Sequence, residues 1–126
     1  NSSKELEMIS ENDTLFKKWL DRYKYHDRYP ENSKKFYRDN CSKILDNHET
    51  ELDKTKYLLS NDLNIVDIAI FPFIRQFANV DPEWFQDNYK NLANWLNEIS
   101  TLDLFIAVMQ KYNLWDSRSG DLIINY

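Results

Sequence analysis

The chain has 126 residues, of which 42% are hydrophobic and 15% aromatic, with one glycine and three prolines. This length predicts one domain, and so few glycines and prolines exclude the many turns of a β-sandwich or a β-barrel. A net charge of −5 and an isoelectric point near 5.0 leave no basic footprint for nucleic acid.

Cysteine content and apolar runs indicate the compartment. Cys41 is the single cysteine, which excludes an internal disulfide and favours a reducing, cytoplasmic setting. The longest apolar run, residues 68–74, is far shorter than the roughly 18 residues of a membrane span. The sequence begins at Asn1 without a signal-peptide pattern, and we therefore expect a piece of a longer protein.

The first predicted helix covers residues 4–25. Leu15, Trp19 and Tyr23 recur at intervals of four, which places them on one helical face. Asn12 and Asp13 can cap a second helical segment, so we expect a break or kink in the helix near residue 12. Pro30 disfavours helix at the residue before it, and the helix should end in this region.

The second predicted helix covers residues 33–61. Its apolar stripe holds Tyr37, Cys41, Ile44, Leu45, His48 and Leu52. This position favours a buried, inert thiol at Cys41 over a nucleophile. His26 and His48 have no further ligand at metal-binding spacing, so the sequence predicts no metal site.

The third predicted helix begins at Asn64 and has three start signals. Asn64 is a strong N-cap, and Asp67 stands at the N3 position of a capping box. Leu63 and Ile68 occupy the two positions of a hydrophobic staple. The helix that follows has no polar face, as expected of a buried helix, and Pro72 should bend it.

Three shorter helices are predicted in the remaining sequence. An Asp-Pro-Glu start at residues 81–83 predicts a short helix through Phe85. Two further apolar-periodic stretches, residues 89–100 and 102–112, follow it before a tail from residue 113. The predicted fold class is therefore all-α, a bundle of five or six helices.

These segments together resemble the helical C-terminal domain of cytosolic glutathione S-transferases. Four sequence motifs carry the resemblance. They are the segment 57–62, the capping box in 64–69, the proline-containing helical segment 71–75 and the tryptophan-containing helical segment 92–96. The resemblance covers most of residues 33–109. The sequence of residues 20–30 most resembles a bacterial subgroup of the family that has glutaredoxin-like N-terminal domains. Ser60 stands where that family commonly has glycine.

The resemblance implies that residues 1–126 are a single helical domain and that a thioredoxin-like N-terminal domain is absent from this chain. In the family, that absent domain binds glutathione, which is a substrate of the intact protein. The helical half supplies the wall of the electrophile pocket and much of the dimer surface. A homodimer, glutathione conjugation and thiol–disulfide chemistry are thus expectations for the intact parent, while the chain alone should be inactive. The alternatives are a non-catalytic protein-interaction scaffold of the same fold and an orphan ligand binder.

The resemblance also selects candidate site residues, none of them catalytic. The family's first helix borders the active-site cleft, which makes Trp19, Tyr23 and Tyr25 candidates for the pocket wall, with Trp115 on the tail as a second choice. Arg22 and Arg28 are candidates for a polar rim that holds a substrate or the carboxylates of glutathione. The structural interpretation, with both arginines stacked on tyrosines and paired with Asp21 and Asp27, is favoured. Asn64 and Asp67 are interpreted as helix-capping residues rather than as a polar site.

Overall fold

A computed structural model describes residues 2–102, 106–107 and 110–111, and the regular structure in these residues is entirely helical. This confirms the all-α class. Six α-helices can be delimited in these residues: α1 (Ser2–Glu11), α2 (Lys17–Lys24), α3 (Lys34–Glu51), α4 (Ile65–Val80), α5 (Pro82–Asn88) and α6 (Lys90–Ser100). In the part of the chain that is described, no helix has both the length and the apolar character needed to cross a membrane.

Helices α1 and α2 form one continuous rod. The π-helical segment Asn12–Phe16 joins them, and the backbone stays right-handed helical at Glu11 and at Phe16. The expected cap at Asn12 is therefore wrong, because Asn12 lies within the helix and is buried. The π-helical turn lies where the sequence predicts a break or kink. The helix is wider at this turn but is not interrupted. A 3₁₀ turn, His26–Arg28, follows α2.

Helix α3 starts as predicted and ends earlier. Ser33 is its N-cap, with Oγ accepting from the Phe36 N–H at 3.0 Å. The helix ends at Glu51 rather than at residue 61. Residues 52–62 form turns and bends instead, because Tyr57 and Leu58 fold back into the core and the Leu58 N–H bonds to a side chain of α4.

The buried stripe of α3 agrees with the spacing in the sequence. Tyr37, Cys41, Ile44, Leu45 and His48 are all buried. Leu52, just past the helix, is partly buried and packs against the same core. The stripe therefore faces the core, where α3 packs on α2 and on α6.

Helix α4 is largely buried in the core, although one side of it is partly exposed to solvent. Val66, Ile70 and Phe71 are at most 1% exposed. The expectation of a helix buried all round is wrong at its start, where Ile65 is 57% exposed. The partly exposed apolar residues lie at helical spacing along one stripe with it: Ile68, Ala69 and Phe73. Pro72 is buried within the helix, which continues to Val80.

The last described helices pack against α3 and α4. Asp81 caps α5, with Oδ1 accepting from the Trp84 N–H at 3.3 Å, and Pro82 is the first helical residue as predicted. The helix extends to Asn88, past the predicted end at Phe85. Ile106, Ala107, Gln110 and Lys111 are helical, in agreement with the prediction for residues 102–112, and the other residues from 103 onward lie outside the described part.

Candidate functional site

Trp19 lies half-buried between α2 and α3. Its ring centroid is 6.1 Å from that of Phe36, edge to face, and 6.3 Å from that of Tyr37, nearly parallel. The Lys18 ammonium lies 4.8 Å from the same ring. Trp19 thus joins the two helices and still leaves part of its indole available to a ligand.

Arg22 and Arg28 stack on aromatic rings, as the structural interpretation predicted. The Arg22 guanidinium lies 4.8 Å from the Tyr29 ring and 5.8 Å from the Trp19 ring. Arg28 lies 4.8 Å from the Tyr25 ring, which Lys24 approaches to 5.2 Å. Cations near aromatic faces are attracted by the ring quadrupole, so these contacts stabilise the positions of both guanidinium groups.

Tyr23 occupies a different environment from Trp19 and Tyr25. It is 1% exposed, and its ring lies 5.1 Å from Phe77 of α4. Burial raises the pKa of the Tyr23 hydroxyl, while the nearby Arg38 guanidinium partly offsets this. Tyr23 therefore belongs to the core rather than to an exposed surface. The other aromatic candidate, Trp115, lies outside the described residues.

Of the three side chains with potential nucleophilic or metal-binding chemistry that the sequence singled out, Cys41 and His48 are buried. Cys41 is fully buried, and desolvation raises the pKa of its thiol well above the usual range. The same effect lowers the pKa of His48 to about 4. His26 contacts the Asp27 carboxylate at 3.2 Å. Among the described residues, no three His, Cys, Asp or Glu side chains are grouped as metal ligands.

Asp67 is a fully buried carboxylate of the core with several hydrogen-bond donors around it. Its Oδ2 accepts from the Asn64 N–H at 3.1 Å, and Asn64 Oδ1 accepts from the Val66 N–H at 2.7 Å, which is the geometry of a capping box. Its Oδ1 accepts from the Leu58 N–H and from Trp95 Nε1, both at 2.9 Å. Burial raises the pKa of Asp67 above its ordinary value, and these hydrogen bonds offset part of that rise.

Sequence reasoning found the capping role of Asp67 and missed its two other partners. The available signal was Trp95 itself, because a buried indole N–H needs an acceptor and Asp67 is a buried carboxylate. Phe36 and Tyr29 were also missed as members of the Trp19 cluster, since neither shares a helix with Trp19. Only a tertiary contact brings them together.

A small polar groove lies between the end of α3 and α6. It has a volume of about 190 Å³ and is lined by Leu52, Thr55, Lys56, Asn91, Asn94, Trp95 and Glu98. Lys56 and Glu98 form an ion pair across it at 3.0 Å. Ligand pockets usually measure roughly 300–1,000 Å³, so this groove suits water or a small ion better than an organic substrate.

The fold and the site together define a class of protein. The chain is a helical bundle built on a capped, proline-containing central helix, with a surface of stacked cations and aromatics and with its thiol buried in the core. Its sequence matches the family described as glutathione S-transferase, C-terminal domain, over residues 16–98. The chain therefore belongs to that family. No curated protein and no solved structure matches the chain significantly.

Proposed function

We propose that this chain is the helical half of a glutathione S-transferase-like protein and forms the wall of its electrophile pocket. The observation that carries the proposal is the family match over residues 16–98, which includes the Trp19 region as well as the capped α4. In the intact parent, a thioredoxin-like domain binds glutathione as substrate. That parent conjugates the glutathione thiolate to an electrophile or uses it in thiol–disulfide exchange.

The pocket wall in this proposal consists of Trp19 and Tyr25, supported from behind by Tyr23. Trp19 offers a partly exposed apolar ring, which suits the apolar body of an electrophile. Arg22 and Arg28 form the polar rim, because their stacked guanidinium groups present donors that match a carboxylate. Trp115 remains a second candidate for the wall.

The missing domain needs an apolar surface on this chain, and α4 supplies one. Ile65 is 57% exposed, and Ile68, Ala69 and Phe73 extend the same stripe. We assign this stripe to contact with the thioredoxin-like domain. We also propose that the parent is a homodimer in the cytoplasm, where a single unpaired cysteine is in keeping with a reducing environment.

Kinetics of the longer protein test the pocket wall. Trp19→Leu and Tyr25→Leu should raise the KM for an aromatic electrophile several-fold, with the KM for glutathione nearly unchanged. Trp84→Leu on α5 is the matched control, because Trp84 is also a partly buried aromatic packed on the core. Unchanged electrophile kinetics in both site variants would contradict the assignment.

The coding sequence upstream of Asn1 tests the domain arrangement. The proposal expects a thioredoxin-like domain there, in frame with this chain. A reading frame that encodes no such domain would instead favour the non-catalytic interaction scaffold of the same fold.

A further inference from the structure

Residues 17–38 carry a net positive charge, although the whole chain is negatively charged. Residues 17–38 hold eight of the sixteen lysines and arginines and only three of the 21 carboxylates, although the chain carries a net charge of −5. These residues form α2, the 3₁₀ turn and the start of α3. A local excess of one sign of charge attracts partners of the opposite sign and raises their association rate.

Exposed apolar side chains lie among these cations. Phe36 is 42% exposed and Leu15 is 45% exposed, and the ring of Trp19 lies 6.1 Å from that of Phe36. The α2–α3 face, as we define it, consists of Leu15, Lys18, Trp19, Arg22, Tyr29 and Phe36. An exposed apolar patch with a charged rim is typical of an interaction site.

Arg22 is the cation of this face that lies near two aromatic rings. Its guanidinium lies between the rings of Tyr29, at 4.8 Å, and Trp19, at 5.8 Å, and Nη1 makes a long 3.5 Å contact with the Lys18 carbonyl oxygen. Because these neighbours already restrict the guanidinium group, it loses less conformational freedom when it binds. A planar guanidinium matches the two oxygens of a carboxylate.

We propose that the α2–α3 face binds a short acidic segment of a partner protein. One carboxylate of the segment pairs with Arg22, others lie near Lys18, and an apolar side chain packs against Trp19 and Phe36. The face shares Trp19 and Arg22 with the proposed pocket wall and polar rim. The proposal goes beyond the transferase function because binding of the segment needs neither glutathione nor the upstream domain.

The size of the face favours a short segment over an extended polyanion. Helix α2 has eight residues and is about 12 Å long. The same rod continues into α1, where Glu5, Glu7 and Glu11 reverse the charge. A duplex nucleic acid or an anionic membrane is negatively charged over a much longer distance and would be repelled there, whereas a short segment stays within the face.

Fluorescence anisotropy with a labelled synthetic peptide tests the proposal. The probe has glutamates on both sides of a phenylalanine–leucine pair, and the whole 126-residue chain is titrated into it. We expect binding that weakens as salt rises, and no binding of the same peptide with glutamine in place of glutamate. Arg22→Gln should weaken binding roughly tenfold or more, and Arg22→Lys by less, because it keeps the charge without the planar fork.

Matched variants separate the face from general charge and apolarity. Phe36→Ser should weaken binding, while Ile65→Ser, which removes an exposed apolar side chain of α4, should not. Lys90→Gln removes one cation at the start of α6 and should likewise leave affinity unchanged. Circular dichroism and thermal unfolding establish that each variant is folded.

Several results would overturn the proposal. They are an equal loss in Lys90→Gln and Arg22→Gln, equal binding of the glutamine peptide, and tighter binding of a DNA duplex or of phosphatidylserine vesicles than of the acidic peptide. Self-association of the chain that Arg22→Gln abolishes would also overturn it, because the face would then join two copies. Peptide binding by this chain and glutathione conjugation by the longer protein are measured separately, so failure of one proposal is distinguishable from failure of the other.

Discussion

Asp67 connects three parts of the molecule through one carboxylate. It completes the capping box of α4, holds the Leu58 backbone in the preceding loop and accepts the Trp95 indole of α6. Burying a carboxylate is unfavourable unless donors surround it, and here three N–H groups do so. The same three donors become unsatisfied if the carboxylate is removed.

Asp67→Ala should therefore reduce the free energy of unfolding by about 3 kcal/mol or more, since each unsatisfied buried donor costs about 1–3 kcal/mol. Asn64→Ala removes one cap only and should cost about 0.5–2 kcal/mol. The destabilisation caused by Asp67→Asn should lie between these two values. The asparagine oxygen can still accept from two of the N–H groups, whereas its NH₂ group faces the third donor and cannot accept from it. Urea unfolding measures all three. An Asp67→Ala cost no greater than that of Asn64→Ala would contradict the role of the extra partners.

His48 makes the free energy of unfolding depend on pH. Burial lowers its folded pKa from 6.5 to about 4, although the Glu51 charge opposes this shift. The unfolded chain thus binds a proton first as pH falls below 6.5, and stability is lost between that value and pH 4. The loss from this one group should reach about 2 kcal/mol by pH 5. Urea unfolding at pH 7 and pH 5 should show a smaller drop in His48→Gln than in the unchanged chain, and equal drops would exclude His48 as the cause.

At the scale of elements, helix starts were predicted better than helix ends. Ser33, Asn64 and Asp81 were recognisable because capping chemistry is local in sequence. The end of α3 at Glu51 was not, since it depends on Tyr57 and Leu58 returning to the core. The stacking of Arg22 and Arg28 on tyrosines could be predicted from the sequence, but the contact of Arg22 with Tyr29 could not. Phe36 likewise enters the candidate site only through the packing of α3 on α2.

Helix α6 is capped by a residue that is distant in sequence. Glu49 of α3 accepts from the Leu92 N–H at 2.8 Å and from the Asn91 N–H at 2.9 Å, which satisfies two free donors at the start of α6. The Tyr89 hydroxyl adds a bond to Asp46 at 2.8 Å. The carboxylate also favours the positive end of the helix dipole.

Glu49→Ala should lower the free energy of unfolding by about 1–2 kcal/mol, because two partly buried N–H groups lose their acceptor. Glu49→Gln keeps one acceptor oxygen and should lose less. Amide hydrogen exchange should show faster exchange at Asn91 and Leu92 in the Ala variant. Glu51→Ala is the control, because Glu51 lies on the same helix and pairs only loosely with Lys54, at 3.8 Å. Unchanged exchange in Glu49→Ala would contradict the long-range cap.

At the scale of the whole molecule, core and surface have separate roles. The groups that resemble reactive side chains, Cys41 and Tyr23, are buried in the core and titrate above their ordinary range. The surface instead offers an apolar stripe on α4 and a basic, aromatic α2–α3 face. Family membership and the bundle could be predicted from the sequence, because the capping box, the proline and the tryptophan helix occur in order. The charge of the α2–α3 face could be counted there too, but its aromatic cluster could not.

The most direct test of the half-enzyme account is the conjugation of glutathione by this chain alone. The pure 126-residue chain is incubated with glutathione and an aromatic electrophile, beside the same chain joined to its upstream domain. The account predicts a rate equal to the uncatalysed background for the chain alone and turnover for the joined protein. Turnover by the chain alone that survives repurification would contradict it, because the helical domain would then contain a catalytic site of its own.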